Sequence, residues 1–268
     1  MQKTVDTFTR QLDDAIADGH YAKKQLACKD RLISWSHRSR FEIGLRLARK
    51  LAHGRLLDYG CGDGTFVAML ATGLDDKVKE IVGVEVGEDQ VSDCQERLGT
   101  LPRSVFRRID QVDTVTEAGK FQTVFCMEVL EHVVQLETVV DRLERLLAAD
   151  GTLVISVPIE TGFPLLIKQA VRRVAGWRNM GDYKYSASYT LSEYRASLLA
   201  GPRQHIPRLE LGSDSGSPYF DHKGFNWMVL RETLSERFVL EQTISSPISW
   251  LTPHFASQAW FVLRKRPA

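Results

Sequence analysis

The chain of 268 residues has no excess charge of either sign, few cysteines and no long apolar run. Each absence removes a class of function. Lys and Arg number 35 against 34 Asp and Glu, a formal charge of +1. That balance argues against a dedicated nucleic-acid binder. Cys28, Cys61, Cys94 and Cys126 are scattered without metal-ligand spacing, so reduced thiols in a cytoplasmic protein are the expectation, and none has a catalytic setting. The segment Met1-Gln2-Lys3-Thr4-Val5-Asp6 has no apolar signal region, and no apolar stretch is long enough to cross a bilayer. Internal repeats and low-complexity runs are also missing. The length allows a full core, in one domain with embellishments or in two small domains.

What is present begins at Gly54-Arg55-Leu56-Leu57-Asp58-Tyr59-Gly60-Cys61-Gly62-Asp63-Gly64-Thr65-Phe66. A short apolar run leads into glycines at alternate positions, and Phe66-Val67-Ala68-Met69-Leu70 then starts a pattern with helical spacing. The segment reads as strand, tight turn, helix. Gly60, Gly62 and Gly64 permit positive φ and close backbone approach, while the helix beginning near Thr65 presents free N–H groups, so the turn is a ligand cradle. The dinucleotide fingerprint would need glycine at 65, where Thr65 stands, and no Lys-Ser/Thr pair follows to make a P-loop.

The D-x-G-x-G-x-G of Asp58, Gly60, Gly62 and Gly64 resembles motif I of the class I S-adenosylmethionine-dependent methyltransferases. The resemblance extends through Lys79–Glu85, similar to that family's second strand, Phe121–Val133, similar to its fourth strand and following turn, and Gly151–Pro158, similar to its fifth. It implies an α/β fold: a Rossmann-like, seven-stranded, mostly parallel sheet with an antiparallel last strand, in a three-layer sandwich. A single domain, 1–268, is expected: an N-terminal helical cap over 1–52, a core of 53–159 and 221–268, and a substrate-side insertion over 160–220. The resemblance also implies S-adenosylmethionine as cofactor, held by Asp58, Gly60, Cys61, Gly62, Gly64, Cys126 and Met127. Glu85 would hold the ribose hydroxyls, in preference to Glu88 or Asp89, which lie past the apolar strand. Asp110, at the end of a third strand read as 104–110, or Gln111 would contact the adenine amino group.

Before the turn, residues 21–52 have helical spacing, with Ser36 a plausible N-cap between two helices. The region is basic: Lys23, Lys24, Lys29, Arg31, Arg38, Arg40, Arg46, Arg49, Lys50 and Arg55 face only Asp30 and Glu42. It reads as a solvated helix face, or as a mouth that attracts an anionic substrate. The resemblance makes Ser36, His37 and Arg38 candidates for lining the cofactor or substrate side. After Pro158 the strand and helix alternation breaks, and short helices near 165–174 and 191–199 belong to the insertion. Its Tyr183, Tyr185, Tyr189, Arg203 and His205 are available to a substrate or to packing.

Methyl transfer from a sulfonium is an in-line displacement whose leaving group needs no acid, so catalysis is positioning plus removal of the acceptor's proton. The resembling family's amino-directed Asn-Pro-Pro-Tyr sequence and the Pro-Cys of its cytosine-C5 members are absent, which leaves oxygen as the expected acceptor. Glu128, Glu131 and His132 form E-x-x-E-H, and a helical turn would set them on one face. Joined by His222, they are the candidate ligands of a divalent metal such as magnesium, which would lower a hydroxyl's pKa. Without metal, His132 is the best general base, histidine being the side chain type whose unperturbed pKa lies near neutrality, and His222 is its candidate partner. The turn is similar to that of ubiquinone-biosynthesis O-methyltransferases. It also resembles small-RNA 3′-terminal 2′-O-methyltransferases, in which a histidine lies near F-x-W, as His222 lies near Phe225-Asn226-Trp227. A small-molecule hydroxyl is the first expected acceptor and an RNA 3′ end the second. A non-catalytic cofactor-binding partner protein would show a degraded glycine turn, and this one is intact.

Overall fold

The computed structural model describes residues 16–20, 22, 31–117, 119–177, 189–212 and 218–267. Lys23, Lys24, Cys28, Lys29, Tyr183 and Tyr185 lie outside the described residues. The described chain forms two compact units. One holds the residues up to Met127 together with Asp141–Val154, and the other holds Glu128–Val140 and Ile155–Arg266.

The first unit begins with α1 (Arg31–Leu51) and continues through β1 (Gly54–Tyr59), α2 (Thr65–Gly73), β2 (Val78–Glu85), α3 (Glu88–Leu98), β3 (Ser104–Arg108), the single turn α4 (Ile109–Val112) and β4 (Phe121–Met127). β1 pairs in parallel with β2 on one side, Leu57 opposite Val82, and with β4 on the other, Leu57 opposite Val124; β2 pairs in parallel with β3. Leu56, Leu57, Ile81, Val82, Val124 and Phe125 are fully buried, as expected of continuous apolar runs in a parallel sheet covered on both faces. Phe66 of α2 meets Phe125 edge-on at 5.2 Å and Phe41 of α1 at 6.1 Å. Each such buried ring contributes on the order of 2–3 kcal/mol.

Two differences from the sequence reading bear on the site. Ser36 lies inside α1, which is unbroken from Arg31 to Leu51, and Ser39 Oγ donates to the Ser36 carbonyl at 2.8 Å. A serine that bonds back onto the preceding turn is tolerated mid-helix, so no cap is needed there. The third strand ends at Arg108, because the Gln111 side chain accepts from the Arg108 N–H at 3.0 Å and starts α4. Asp110 is therefore helical.

α5 (Leu136–Leu146) and β5 (Leu147–Pro158) run through both units. The second unit then carries α6 (Gly162–Trp177), α7 (Leu191–Leu198), β6 (Glu210–Gly212), β7 (Pro218–Phe220), α8 (Trp227–Arg237), β8 (Phe238–Ser246) and β9 (Gln258–Lys265). The sheet has seven strands in the order β3-β2-β1-β4-β5-β9-β8, and β8 and β9 are antiparallel. This is the expected Rossmann-like order with an antiparallel end. Trp227 stacks on Phe261 at 6.4 Å, and the fully buried Trp260 donates Nε1–H to Ser246 Oγ at 3.1 Å. The β6–β7 hairpin, Glu210 opposite Phe220, has no counterpart in the sequence reading.

Candidate functional site

In the first unit the glycine turn sits between β1 and α2. Gly60, Gly62 and Gly64 have φ of 78°, 57° and 76°, a region costly to any residue with a Cβ. Gly62 and Gly64 have different roles. A Cβ on Gly64 would lie 2.7 Å from Leu98 Cδ1 and 3.0 Å from Phe106 Cε1, so Gly64 is small because helix and strand pack against it. A Cβ on Gly62 would meet nothing within 4 Å; beside Gly62 the space is open.

The groups around that space are polar and specific. Gly62 N–H donates to Glu85 Oε2 at 3.0 Å, and Val86 N–H donates to Glu85 Oε1 at 2.8 Å, which fixes the last residue of β2 beside the turn. Glu88 and Asp89 begin α3 instead. Asp58 is buried, and its Oδ2 has no hydrogen-bond partner. Burial, with the nearby Glu85 charge, pushes its carboxyl up to about 8. Cys61 is buried, and its hydrogen bond with Cys94, reinforced by burial, keeps the thiol protonated. Cys126 is fully buried in β4, so only its backbone is available to a ligand, whereas Met127 at the strand end is partly accessible. Asp110 is exposed and binds Arg108 at 3.0 and 3.1 Å, while Gln111 is occupied as the cap of α4. A free adenine-binding group at either position would first have to leave these bonds.

Of the basic N-terminal region, Arg38, Arg46, Arg49 and Lys50 are exposed, whereas Arg40 and Arg55 are wholly or partly withdrawn from the surface. Arg40 is buried, 3.4 Å from His37 Nδ1. Arg49 donates to the Gly73 carbonyl at 3.2 Å, and Arg55 is paired with Glu80 at 2.5 Å and Glu117 at 2.8 Å.

In the second unit, Glu128 to His132 form a turn rather than a helix, with His132 N–H donating to the Val129 carbonyl at 2.9 Å. Glu128 has φ of 56°, a left-handed conformation that costs a non-glycine residue about 1–2 kcal/mol. Three bonds hold it there: its N–H to the Ser156 carbonyl at 2.9 Å, Ser156 Oγ–H to Oε1 at 3.0 Å, and Gln258 Nε2–H to Oε2 at 3.2 Å. The expectation that Glu128 shares a face with Glu131 and His132 assumed helical geometry, and the left-handed residue removes it. The group that comes together is Glu131, His132 and His222, whose ligand atoms lie within 4.8 Å of one another.

Each member is fixed by a different segment. Glu131 is fully buried, with Oε1 3.9 Å from His132 Nε2. His132 Nδ1 lies 2.7 Å from the Phe220 carbonyl of β7, and Phe220 N–H donates back to the His132 carbonyl at 3.0 Å. A carbonyl can only accept, so Nδ1 carries the proton and Nε2 is left with its lone pair. His222 Nε2 is 3.1 Å from His132 Nε2. Burial, then the His132 charge, lowers His222 to about 4, so it is neutral at physiological pH. Phe225-Asn226-Trp227 is mainly architectural. Phe225 N–H donates to the His222 carbonyl at 3.2 Å, and Asn226 caps α8 by accepting from Met228 N–H at 3.1 Å.

Two groups were missed in the sequence. Glu160 is buried and paired with Lys168 at 2.8 Å and Arg172 at 3.0 Å; burial raises its carboxyl, but the two cations outweigh burial and bring it to about 2. The available signal was an acid just past an apolar strand, with Lys168 and Arg172 four residues apart on the next helix. Arg208 donates from Nη2 to the Glu131 and Asp221 carbonyls, bracing the segments that carry both histidines. No local pattern marks it.

An intact glycine turn, an acid ending the second strand and this strand order define a class I S-adenosylmethionine-dependent methyltransferase. The open space at Gly62, the Glu85 carboxylate beside it and the unpartnered Asp58 oxygen suit a ligand with an amino acid and a ribose. A family model for a methyltransferase domain matches residues 34–198, and the chain belongs to that family. The ubiquinone biosynthesis O-methyltransferase of Psychrobacter arcticus is 30% identical over 129 residues, 46% of each chain. That of Bradyrhizobium diazoefficiens is 26% identical over 162 residues, 60% of this chain and 62% of the other. The chain thus spans about half to three fifths of the length of these relatives. The crystal structure of a protein from Pyrococcus horikoshii superposes with a TM-score of 0.55 at 16% identity, covering 92% of this chain and 98% of that one; the likeness is one of fold. No helix among the described residues is long and apolar enough to cross a membrane.

Proposed function

We propose that the chain methylates a hydroxyl oxygen of a small molecule, with His132 as the general base. Bound S-adenosylmethionine supplies an electrophilic methyl on a sulfonium that leaves as a neutral thioether. The Asp58–Gly64 turn would cradle this donor and Glu85 would take its ribose hydroxyls. Met127 ends the strand beside the turn, and the Glu128–His132 segment is the next stretch of chain.

The observation that carries the base assignment is the fixed tautomer of His132. With Nδ1–H on the Phe220 carbonyl at 2.7 Å, Nε2 is the atom able to take the hydroxyl proton. The resulting imidazolium has the Glu131 carboxylate 3.9 Å away. The similarity to ubiquinone biosynthesis O-methyltransferases supports oxygen as the acceptor. Removing a positioned general base costs about 10²–10⁴-fold in rate. His132→Gln should therefore lower kcat by that factor and leave donor affinity unchanged; a loss under about threefold would remove His132 from the chemistry.

One observation favours a second reading, in which a divalent metal activates the hydroxyl: the Glu131, His132 and His222 ligand atoms lie within 4.8 Å. Two imidazoles and one carboxylate suit manganese or zinc better than magnesium, which prefers oxygen ligands. Metal content after exhaustive dialysis, with activity in chelator, separates the readings. A stoichiometric ion that is lost in His132→Ala with His222→Ala supports the metal, and full activity in chelator leaves the base alone.

A further inference from the structure

The second unit carries an open cavity of about 430 Å³ that neither His132 nor His222 lines, a volume typical of small-molecule sites. Leu130, Val133, Ile206, Phe225, Val229 and Leu230 give it an apolar wall, and Arg208, which carries a guanidinium, belongs to the same lining.

The bonds of Arg208 leave part of that guanidinium unused. Nη2 donates to the Glu131 and Asp221 carbonyls, and Nε donates to the Lys223 carbonyl at 3.4 Å. The rings of Phe220 and Phe225 lie 4.4 and 5.4 Å from its central carbon. Among the described residues, Nη1 has no hydrogen-bond acceptor and no carboxylate lies within ion-pair distance of Arg208. Carbonyl dipoles and ring faces offset a half-buried cation only in part. Burial accordingly lowers the Arg208 pKa to about 10 despite the Asp221 and Glu131 charges nearby. Glu137 also lines the cavity, but it is exposed and lies 3.6 Å from Arg237.

The remaining donors set the kind of anion. Asn226 also lines the cavity, and its Nδ2 is already engaged with the Gly201 and Gln204 carbonyls at 2.9 Å each. Two Nη1 hydrogens remain on Arg208. Their directions diverge, so Nη1 gives a carboxylate one charge-assisted bond, and the single positive charge of Arg208 matches a monoanion better than a dianionic phosphate or sulfate. Gln135, Thr138, His205 and Thr233 add polar groups to the lining. We propose that this cavity binds a small molecule with a single carboxylate on an apolar body, the carboxylate on Arg208 and the body against the Leu130–Val229 wall. The site goes beyond the methyl-transfer reading and does not depend on it.

Calorimetric titration of the full chain with 2-naphthoate and with its neutral counterpart 2-naphthamide, in the absence of methyl donor, tests the proposal. The expected result is one saturable naphthoate site, at least tenfold tighter than the amide. Arg208→Gln should abolish that preference, and Arg208→Lys should restore part of it. Val229→Trp fills the cavity without touching Arg208 and should abolish naphthoate binding in a protein whose melting curve and donor affinity are retained. Should Arg208→Gln fail to fold, Val229→Trp still decides. Equal affinity for acid and amide, no naphthoate binding by the native protein, or binding that survives Val229→Trp would overturn it.

Discussion

Replacing Gly62 and Gly64 by alanine, one at a time, separates the two jobs that the glycine turn performs. Both residues have positive φ, 57° and 76°, so each alanine costs about 1–2 kcal/mol of folding stability from the backbone alone. At Gly64 the new methyl also meets Leu98 at 2.7 Å and Phe106 at 3.0 Å, and overpacking of that kind adds roughly 1–3 kcal/mol. At Gly62 it meets no protein atom within 4 Å, so the fold should bear only the backbone cost. That open space is where the proposed cradle would receive the donor, and a methyl there should weaken S-adenosylmethionine by at least tenfold, about 1.4 kcal/mol. Urea unfolding and calorimetric titration on both variants give the two numbers. Gly64→Ala should be the less stable protein by about 1–3 kcal/mol, and Gly62→Ala the one with the greater loss of affinity relative to its loss of stability. Unchanged donor affinity in Gly62→Ala would refute the assignment of the cradle.

The buried Glu160 sets a pH dependence whose sign follows from its depressed pKa. Its carboxyl is near 2 when folded and near 4.5 when unfolded, so the stabilisation is complete above pH 4.5 and is lost as pH falls through 2. Glu160→Gln should cost on the order of 3 kcal/mol at pH 7, and the gap between variant and native unfolding curves should close towards pH 2. A gap that stays constant with pH would show that the charge is not what is lost.

The parts of the site legible in the sequence were those whose geometry is local. Asp58 to Gly64 could be read because strand, turn and helix follow one another without a break, and Glu85 because it ends the adjacent strand. The E-x-x-E-H spacing was equally visible, but its meaning depended on backbone conformation. Glu128 turned left-handed, held by Ser156 and Gln258 from segments 28 and 130 residues away, and a spacing rule cannot register that. The tautomer of His132 depends on Phe220, 88 residues further on, in a hairpin too short to leave an alternating pattern. Arg208 acts through carbonyls, which carry no residue identity at all. Asp110 shows a subtler limit: its position after the third strand was read correctly to within two residues, yet Arg108 occupies its carboxylate.

The most direct test of the central claim is the fate of a ¹³C-labelled methyl group. The native chain, given labelled S-adenosylmethionine and a panel of phenols, catechols, primary amines and a short RNA with a free 3′ end, should place the label on the oxygen of a phenol or catechol, and His132→Gln should do so at least a hundredfold more slowly. Label appearing only on nitrogen, or only on the RNA ribose, would contradict the account.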